Sequence, residues 1–326
     1  MTNHGRVAAI DCGTNSIRLL IAEASSGSGG EGVVGGLMDV HREMRVVRLG
    51  REVDATGRFG DQALSDTLAA ARDYAQLCAD AGVDSVRFIA TSATRDAANA
   101  DDFLRGVHEI FGDFDVSPEV ITGQAEAQLS FAGATAELAE ADEADAPYLV
   151  VDIGGGSTEF VRGSRDVEQS ISVDIGCVRM TERHLHDDPA TEDQVWAALG
   201  DITAAIDHAA QSVDFTGIKT LIGLAGSVTT TTAHALELSA YEPERIHGSV
   251  IAAADLVEAA YDLLRMGRPE REALPYMHPG RVDVIGAGAL IWRTVVQRLV
   301  RDAGLVSVRT SEHDILDGIA WSQIRR

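Results

Sequence analysis

Two stretches of this 326-residue chain share a pattern of residue types suited to gripping phosphate. VAAIDCGTNSIRLLIAE, beginning at Val7, and YLVVDIGGGSTEFVRGS, beginning at Tyr148, align on Asp11 and Asp152. Glycine follows two places later in both, at Gly13 and Gly154, and serine five places later, at Ser16 and Ser157. The shared form is an apolar strand, Asp-x-Gly-x-x-Ser and a second apolar strand, repeated after 141 residues (152 − 11). Small residues in a tight turn let backbone amides approach an anion, and glycine supplies the φ > 0 conformations that aim consecutive N–H groups at one point. Gly13, Thr14, Asn15 and Ser16 form one candidate phosphate loop; Gly154, Gly155, Gly156, Ser157 and Thr158 form the other. An aspartate at a strand end can hold hydrated Mg²⁺, which keeps most of its waters and needs only one or two carboxylates. Two such hairpins facing each other would clasp opposite sides of a phosphate chain.

Either copy alone reads equally well as an ordinary β-turn, since Asp, Gly and Ser are common turn residues. Recurrence at domain spacing favours the functional reading. A dinucleotide fingerprint would need a third glycine and a following helix, but Glu159 stands at that position and a strand follows. No G-x-x-x-x-G-K-[ST] occurs.

The elements that must present these loops alternate between strand and helix, as in an α/β protein. Apolar runs predict strands at 7–11, 17–22, 86–90, 116–121, 148–152 and 221–224, and another ending near Val47. Helical periodicity covers 63–78, 101–111, 123 to about 139, 195–210, 256–265 and 282–300. A Gly/Ser-rich stretch, 25–36, reads as a loop and the acidic segment 140–145 as a solvated linker. A last helix is expected over 312–324, with Ser311 as its N-cap.

Composition narrows the class. A net charge of −24 opposes broad electrostatic binding of nucleic acid or anionic membrane. No run approaches the roughly 20 apolar residues of a membrane span, and the N-terminus lacks a signal-peptide layout, so a cytoplasmic location is expected. Three distant cysteines without a CxxC pair suggest neither a disulfide framework nor a cysteine-ligated zinc. Lys219 is the only lysine, and Arg45, Arg48, Arg51 and Arg58 cluster where they read either as a solvated face or as positive lining for a phosphate tail. Arg179 and Arg183 carry the same two readings. His184 and His186 would diverge on a helix and read as surface residues, and His278 as fixing a turn.

The chain resembles the actin/Hsp70/sugar-kinase (ASKHA) superfold and, within it, the exopolyphosphatase/guanosine pentaphosphate phosphohydrolase family, through DCGTNSIRLLIAE, VVRLGREVDATGRF, ATSATRDAANADDF, VITGQAEAQLSFAGA, VVDIGGGSTEF, IGCVRMTERHL and HPGRVDVIGAGALI. These stretches fall in family order over nearly the whole chain. The resemblance implies two actin-like (ribonuclease H-like) domains with an interdomain cleft, domain I at 1–124 plus 310–326 and domain II at 125–309. It resembles the short form, without the helical C-terminal domain of longer relatives. Glu126 takes the place of the glutamate that activates the attacking water, Arg95 that of an arginine reaching the phosphate, and Asp152 and Glu159 those of carboxylates near the metal, with Asp11 as a further candidate ligand. Relatives carry two consecutive glutamates where this chain has Ala125 and Glu126. The implied metal is Mg²⁺, with Mn²⁺ as an alternative and K⁺ as a stimulating ion. The implied activity removes the terminal phosphate of inorganic polyphosphate, short chains being favoured; the rival substrate is guanosine pentaphosphate. A sugar-kinase-like ATPase and a non-catalytic sensor are the readings of other classes. GLAGSVTT, with Gly226 and Ser227, is a candidate loop for a nucleotide or second phosphate. Oligomeric state is not legible; a homodimer is the working expectation.

Overall fold

The structure, a computed structural model, describes residues 5–26, 34–136 and 145–324. In chain order the strands are β1 (Val7–Cys12), β2 (Ser16–Ser26), β3 (Val34–Val46), β4 (Ser85–Ala90), β5 (Glu119–Val120), β6 (Tyr148–Ile153), β7 (Thr158–Gly163), β8 (Val167–Val173), β9 (Thr220–Leu224), β10 (Val250–Ala252) and β11 (Ser307–Thr310). The longer helices, with one short one, are α1 (Asp61–Asp80), α2 (Ser92–Asp96), α3 (Ala100–Ile110), α4 (Gly123–Thr135), α5 (Cys177–His184), α6 (Glu192–Ala209), α7 (Ala225–Ala235), α8 (Ala253–Arg265), α9 (Ile285–Ala303) and α10 (Ile315–Ile324). They form two compact units, 1–137 with 315–326, and 138–314.

In the first unit the sheet runs β3-β2-β1-β4-β5, with β1, β2 and β3 antiparallel and β4 and β5 parallel to β1. β1 is buried along its whole length because both faces of the sheet are covered. Ala8, Ile10 and Cys12 point into a core with Tyr74, Phe88, Phe103 and Phe111, while Val7 and Ala9 point to the other face, where α10 supplies Ile315, Leu316, Ile319 and Ala320. α10 also crosses α4 so closely that a Cβ on Gly318 would lie 2.1 Å from the Leu129 carbonyl oxygen. That crossing draws α4 into the first unit. The sequence places the boundaries at 124/125 and 309/310; the structure places them at 137/138 and 314/315, because β11 stays in the second sheet.

The second sheet runs β10-β11-β9-β6-β7-β8. Setting β10 aside, its remaining five strands repeat the order of the first sheet: antiparallel β8-β7-β6, then β9 and β11 parallel. Each unit is therefore one actin-like α/β arrangement used again. Trp292 of α9 fills the second core, its ring lying over Gly223, where a Cβ would meet it at 2.6 Å.

Several expected elements differ. The last helix starts at Ile315, since the Ser311 hydroxyl bonds the His313 amide and carbonyl in a local turn instead of capping a helix. The strand expected at 116–121 is reduced to Glu119–Val120 after a 3₁₀ turn at 112–114. GLAGSVTT is not a loop throughout: α7 begins at Ala225, and its Thr229–Thr232 run is buried despite the poor helical preference of β-branched residues. The Gly/Ser-rich stretch is shorter than expected, as β2 extends to Ser26 and β3 starts at Val34; 27–33, and 137–144 with most of the acidic linker, lie outside the described residues. No helix among the described residues is long and apolar enough to cross a membrane.

Candidate functional site

The first loop closes the β1–β2 hairpin, Gly13 donating its amide to the Ser16 carbonyl at 3.0 Å. The chain after β3 holds it from outside: Gly50 N–H donates to Thr14 O at 2.8 Å, and Val47 and Arg48 N–H donate to Asn15 O at 3.0 and 2.9 Å. Gly50 lets the chain come this close without disturbing Thr14: a Cβ there would lie 2.3 Å from Thr14 Cγ2, which would have to turn away. Asp11, 5% exposed, is ion-paired across the hairpin with Arg18, which reaches Oδ2 with Nε at 3.0 Å and Nη2 at 2.7 Å.

The second loop closes the β6–β7 hairpin in the same way, Gly154 N–H donating to Ser157 O at 3.0 Å. Its carbonyls are held by the start of α5. Cys177 N–H donates to Gly154 O at 3.0 Å, and Val178 and Arg179 N–H to Gly155 O at 2.9 and 3.1 Å. The Arg179 side chain adds a bond from Nε to Gly156 O at 2.8 Å. A Cβ on Gly176 would fall 2.4 Å from the Gly155 carbonyl group, so the loop rests directly on that glycine. Thr158, fully buried, ties its hydroxyl to Ile175 O at 2.6 Å.

The place Arg18 fills in the first hairpin is filled by Glu159 in the second, directly opposite Asp152. Two carboxylates 7% and 1% exposed thus face each other across neighbouring strands, with Ser172 donating to Glu159 Oε1 at 2.7 Å. Like charges so placed are destabilising. The hard oxygen donors fit Mg²⁺, which is satisfied by two carboxylates and water. Among the described residues no cluster of three or more His, Cys, Asp or Glu could hold a metal. Asp11 lies in the first unit, bonded to Arg18, apart in sequence and in unit from this acid pair.

Arg95 and Glu126, far apart in sequence, are in direct contact within the first unit. Arg95 lies in the last turn of the short α2 that follows β4, and Glu126 lies in the first turn of α4, which Thr122 caps by accepting from Ala125 N–H. Arg95 Nη1 donates to Glu126 Oε2 at 2.8 Å and to Ile121 O at 3.0 Å. Glu126 is 9% exposed.

Gly226 and Ser227 open α7 behind Ala225, which holds the left-handed φ of 66° unusual for a residue with a side chain. Arg281, distant in sequence and not among the expected site residues, packs against them: a Cβ on Gly226 would meet its Cζ at 2.4 Å, while its Nη1 reaches Thr230 Oγ1 at 3.1 Å. Ser227 is buried against Gly288. Of the other candidates, Arg45 is tied to Glu43 and Asp73, His184 bonds Asp201 at 2.8 Å, and His278 Nδ1 accepts from Gly280 N–H at 3.1 Å, fixing its turn. Burial, with Asp11 beside it, holds the Cys12 thiol well above its ordinary pKa, which disfavours the thiolate a nucleophile would need. Gly50, Gly176 and Arg179 lie in VVRLGREVDATGRF and IGCVRMTERHL, two of the stretches that carry the resemblance, but that they support the loops is not legible in them beyond a glycine closing each segment after a third strand.

Fold and site define a class, actin-like phosphate-handling proteins built on a duplicated hairpin. A model of the Ppx/GppA phosphatase family matches residues 21–323. The chain is 48% identical over 319 residues to Exopolyphosphatase 2 of Mycobacterium tuberculosis, covering 97% of this chain and 98% of that one. A solved exopolyphosphatase-like protein, 43% identical, superimposes with a TM-score of 0.92 over 99% of this chain and 98% of its own. The Aquifex aeolicus Ppx/GppA family member, 27% identical, gives 0.77 over 98% of each chain. The chain belongs to the Ppx/GppA phosphatase family.

Proposed function

We propose that the chain is an exopolyphosphatase that hydrolyses the terminal phosphoanhydride of inorganic polyphosphate with Mg²⁺ and releases orthophosphate. One observation carries the reading: in a chain of this family, a buried first-turn glutamate, Glu126, lies 2.8 Å from an arginine, Arg95. Glu126 takes the proton of the attacking water as its oxygen bonds the terminal phosphorus and the bridging P–O bond breaks, the bond pair leaving with the shortened chain. Arg95 fixes the Glu126 carboxylate through its hydrogen bond and offers its remaining donors to a phosphate oxygen. The loop amides that do not close the hairpins, Thr14 and Asn15 in the first loop and Gly155, Gly156 and Ser157 in the second, are the candidate further donors for phosphate oxygens. Asp152 and Glu159 would hold Mg²⁺, which neutralises charge on the phosphate oxygens.

Guanosine pentaphosphate ends in the same anhydride and is the rival substrate. The negative charge and the absence of a membrane-crossing helix among the described residues support action in the cytoplasm, and a homodimer is the assembly to test first. Phosphate release should be measured with polyphosphates of graded length, guanosine pentaphosphate and ATP, each with and without Mg²⁺. Glu126→Gln, which keeps the shape and the bond to Arg95, should lower turnover by roughly 10²- to 10⁴-fold with an unchanged melting temperature. Turnover close to that of the parent would remove Glu126 from the mechanism.

A further inference from the structure

Three consecutive carbonyl oxygens of the second loop are turned towards the start of α5. Gly154 O and Gly155 O accept from the first amides of α5, and Gly156 O accepts from Arg179 Nε at 2.8 Å. These peptide bonds are trans, so the N–H following each carbonyl points opposite to it. Holding three consecutive carbonyls against α5 therefore aims the amides of Gly155, Gly156 and Ser157 to the other side together. Among the described residues, none of those three amides donates to a backbone carbonyl. Consecutive amides directed to one side are an anion-binding nest. The first two carbonyls are held by backbone groups that any sequence would supply. The third depends on one side chain.

We propose that Arg179 is a positioning residue for phosphoryl transfer: by fixing the Gly156 carbonyl it orients the Ser157 amide and completes the nest, acting through its hydrogen bond and not through its charge on the substrate. The inference rests on the reading that this loop takes phosphate. Side-chain geometry separates the two roles. In glutamine the amide nitrogen stands the same number of bonds from Cα as Arg179 Nε, so Arg179→Gln keeps a donor at the right place without charge. Arg179→Lys keeps the charge but moves the donor one atom further out, and Arg179→Met keeps the length with neither.

Two readouts test this on the full chain, after melting curves confirm that each variant folds. The first is kcat and KM for phosphate release from polyphosphate. Arg179→Met and Arg179→Lys should lose roughly a hundredfold in kcat/KM, as a misplaced donor does, and Arg179→Gln should recover to within about tenfold of the parent. The second is titration with inorganic phosphate, followed by the amide NMR signals of Gly155, Gly156 and Ser157. The parent and Arg179→Gln should show saturating shifts, weakened about tenfold or more in Arg179→Met, the change expected from loss of one charge-assisted bond. Lysine rescuing where glutamine fails would mean that charge is what matters, and the proposal would be wrong. It would be equally wrong if Arg179→Met titrated like the parent, or if phosphate left the parent amides unmoved. A parent that binds phosphate at these amides but releases none from polyphosphate would instead overturn the assigned reaction and leave the positioning role standing.

Discussion

The two hairpin loops have the same residues at their corners and different surroundings. In the first, Asp11 faces Arg18 and is neutralised inside its own hairpin; in the second, Asp152 faces Glu159 and the hairpin carries two buried acids. The first loop leans on irregular backbone, Val47 to Gly50, whereas the second leans on the start of a helix and an arginine side chain. The first unit also holds the Arg95–Glu126 pair. One arrangement has thus been given two kinds of corner: the first copy pairs its aspartate with an arginine, in the unit that also holds the candidate base, and the second sets two buried acids opposite each other, a donor set that suits a metal.

The sharpest way to break this comparison is to add one methyl group to each support. At Gly176 a new Cβ meets backbone, the Gly155 carbonyl at 2.4 Å, and the loop itself must move. At Gly50 the nearest atom is Thr14 Cγ2, the end of a side chain that can rotate away, although Ala93 Cβ at 3.0 Å limits the space. Gly176→Ala should therefore lower kcat/KM by more than roughly a hundredfold, and Gly50→Ala by less than a tenth of that factor. Equal losses in a phosphate-release assay would show that the two loops are not held differently.

Much of this contrast could be read from residue types, and the parts that could not share a cause. The repeat, the acids at its corners and the strand–turn–strand form needed only local pattern. Glu126 and Arg95 were found by family resemblance, but that they touch depends on α2 and the start of α4 meeting although the two residues stand 31 positions apart (126 − 95). Nothing in GLAGSVTT discloses a helix, because threonine runs favour strands and only tertiary burial overrides that preference. The extent of the first unit depends on a similarly distant contact. Whether α4 belongs to one unit or the other is decided by Gly318 of the distant α10, which lets that helix press on Leu129.

A smaller effect is expected from removing one of the facing acids. Glu159→Gln keeps an acceptor for Ser172 while ending the like-charge opposition to Asp152. Activity should fall by roughly ten- to a hundredfold, and any rise in melting temperature caused by Mg²⁺ should shrink, whereas without metal the variant should melt no lower than the parent. Scanning calorimetry with and without Mg²⁺ checks this; an undiminished Mg²⁺ effect would take the metal away from this hairpin. The corresponding change in the first hairpin should act oppositely. Arg18→Met strips Asp11 of its partner across the strands, so stability should drop by about 3 kcal/mol, while the metal response stays intact.

The mildest probe uses the cysteine that each loop region happens to contain. Cys12 directly precedes the first loop, and Cys177, the first residue of α5, bonds Gly154 through its amide. Burial is the chief cause raising both thiols above their ordinary pKa, reinforced by Asp11 for Cys12 and opposed by Ser227 and Arg281 for Cys177. Alkylation requires the thiolate, so both should resist iodoacetamide at pH 8 in the folded parent, and any labelling should rise with pH. Gly176→Ala should expose Cys177 and speed its labelling several-fold with Cys12 still protected, and Gly50→Ala should alter Cys12 alone. Mass spectrometry of the labelled peptides reads each site separately. If a methyl at Gly176 loosened both cysteines alike, the two loops would be coupled supports rather than independent ones, and the contrast between the copies would lose its structural basis.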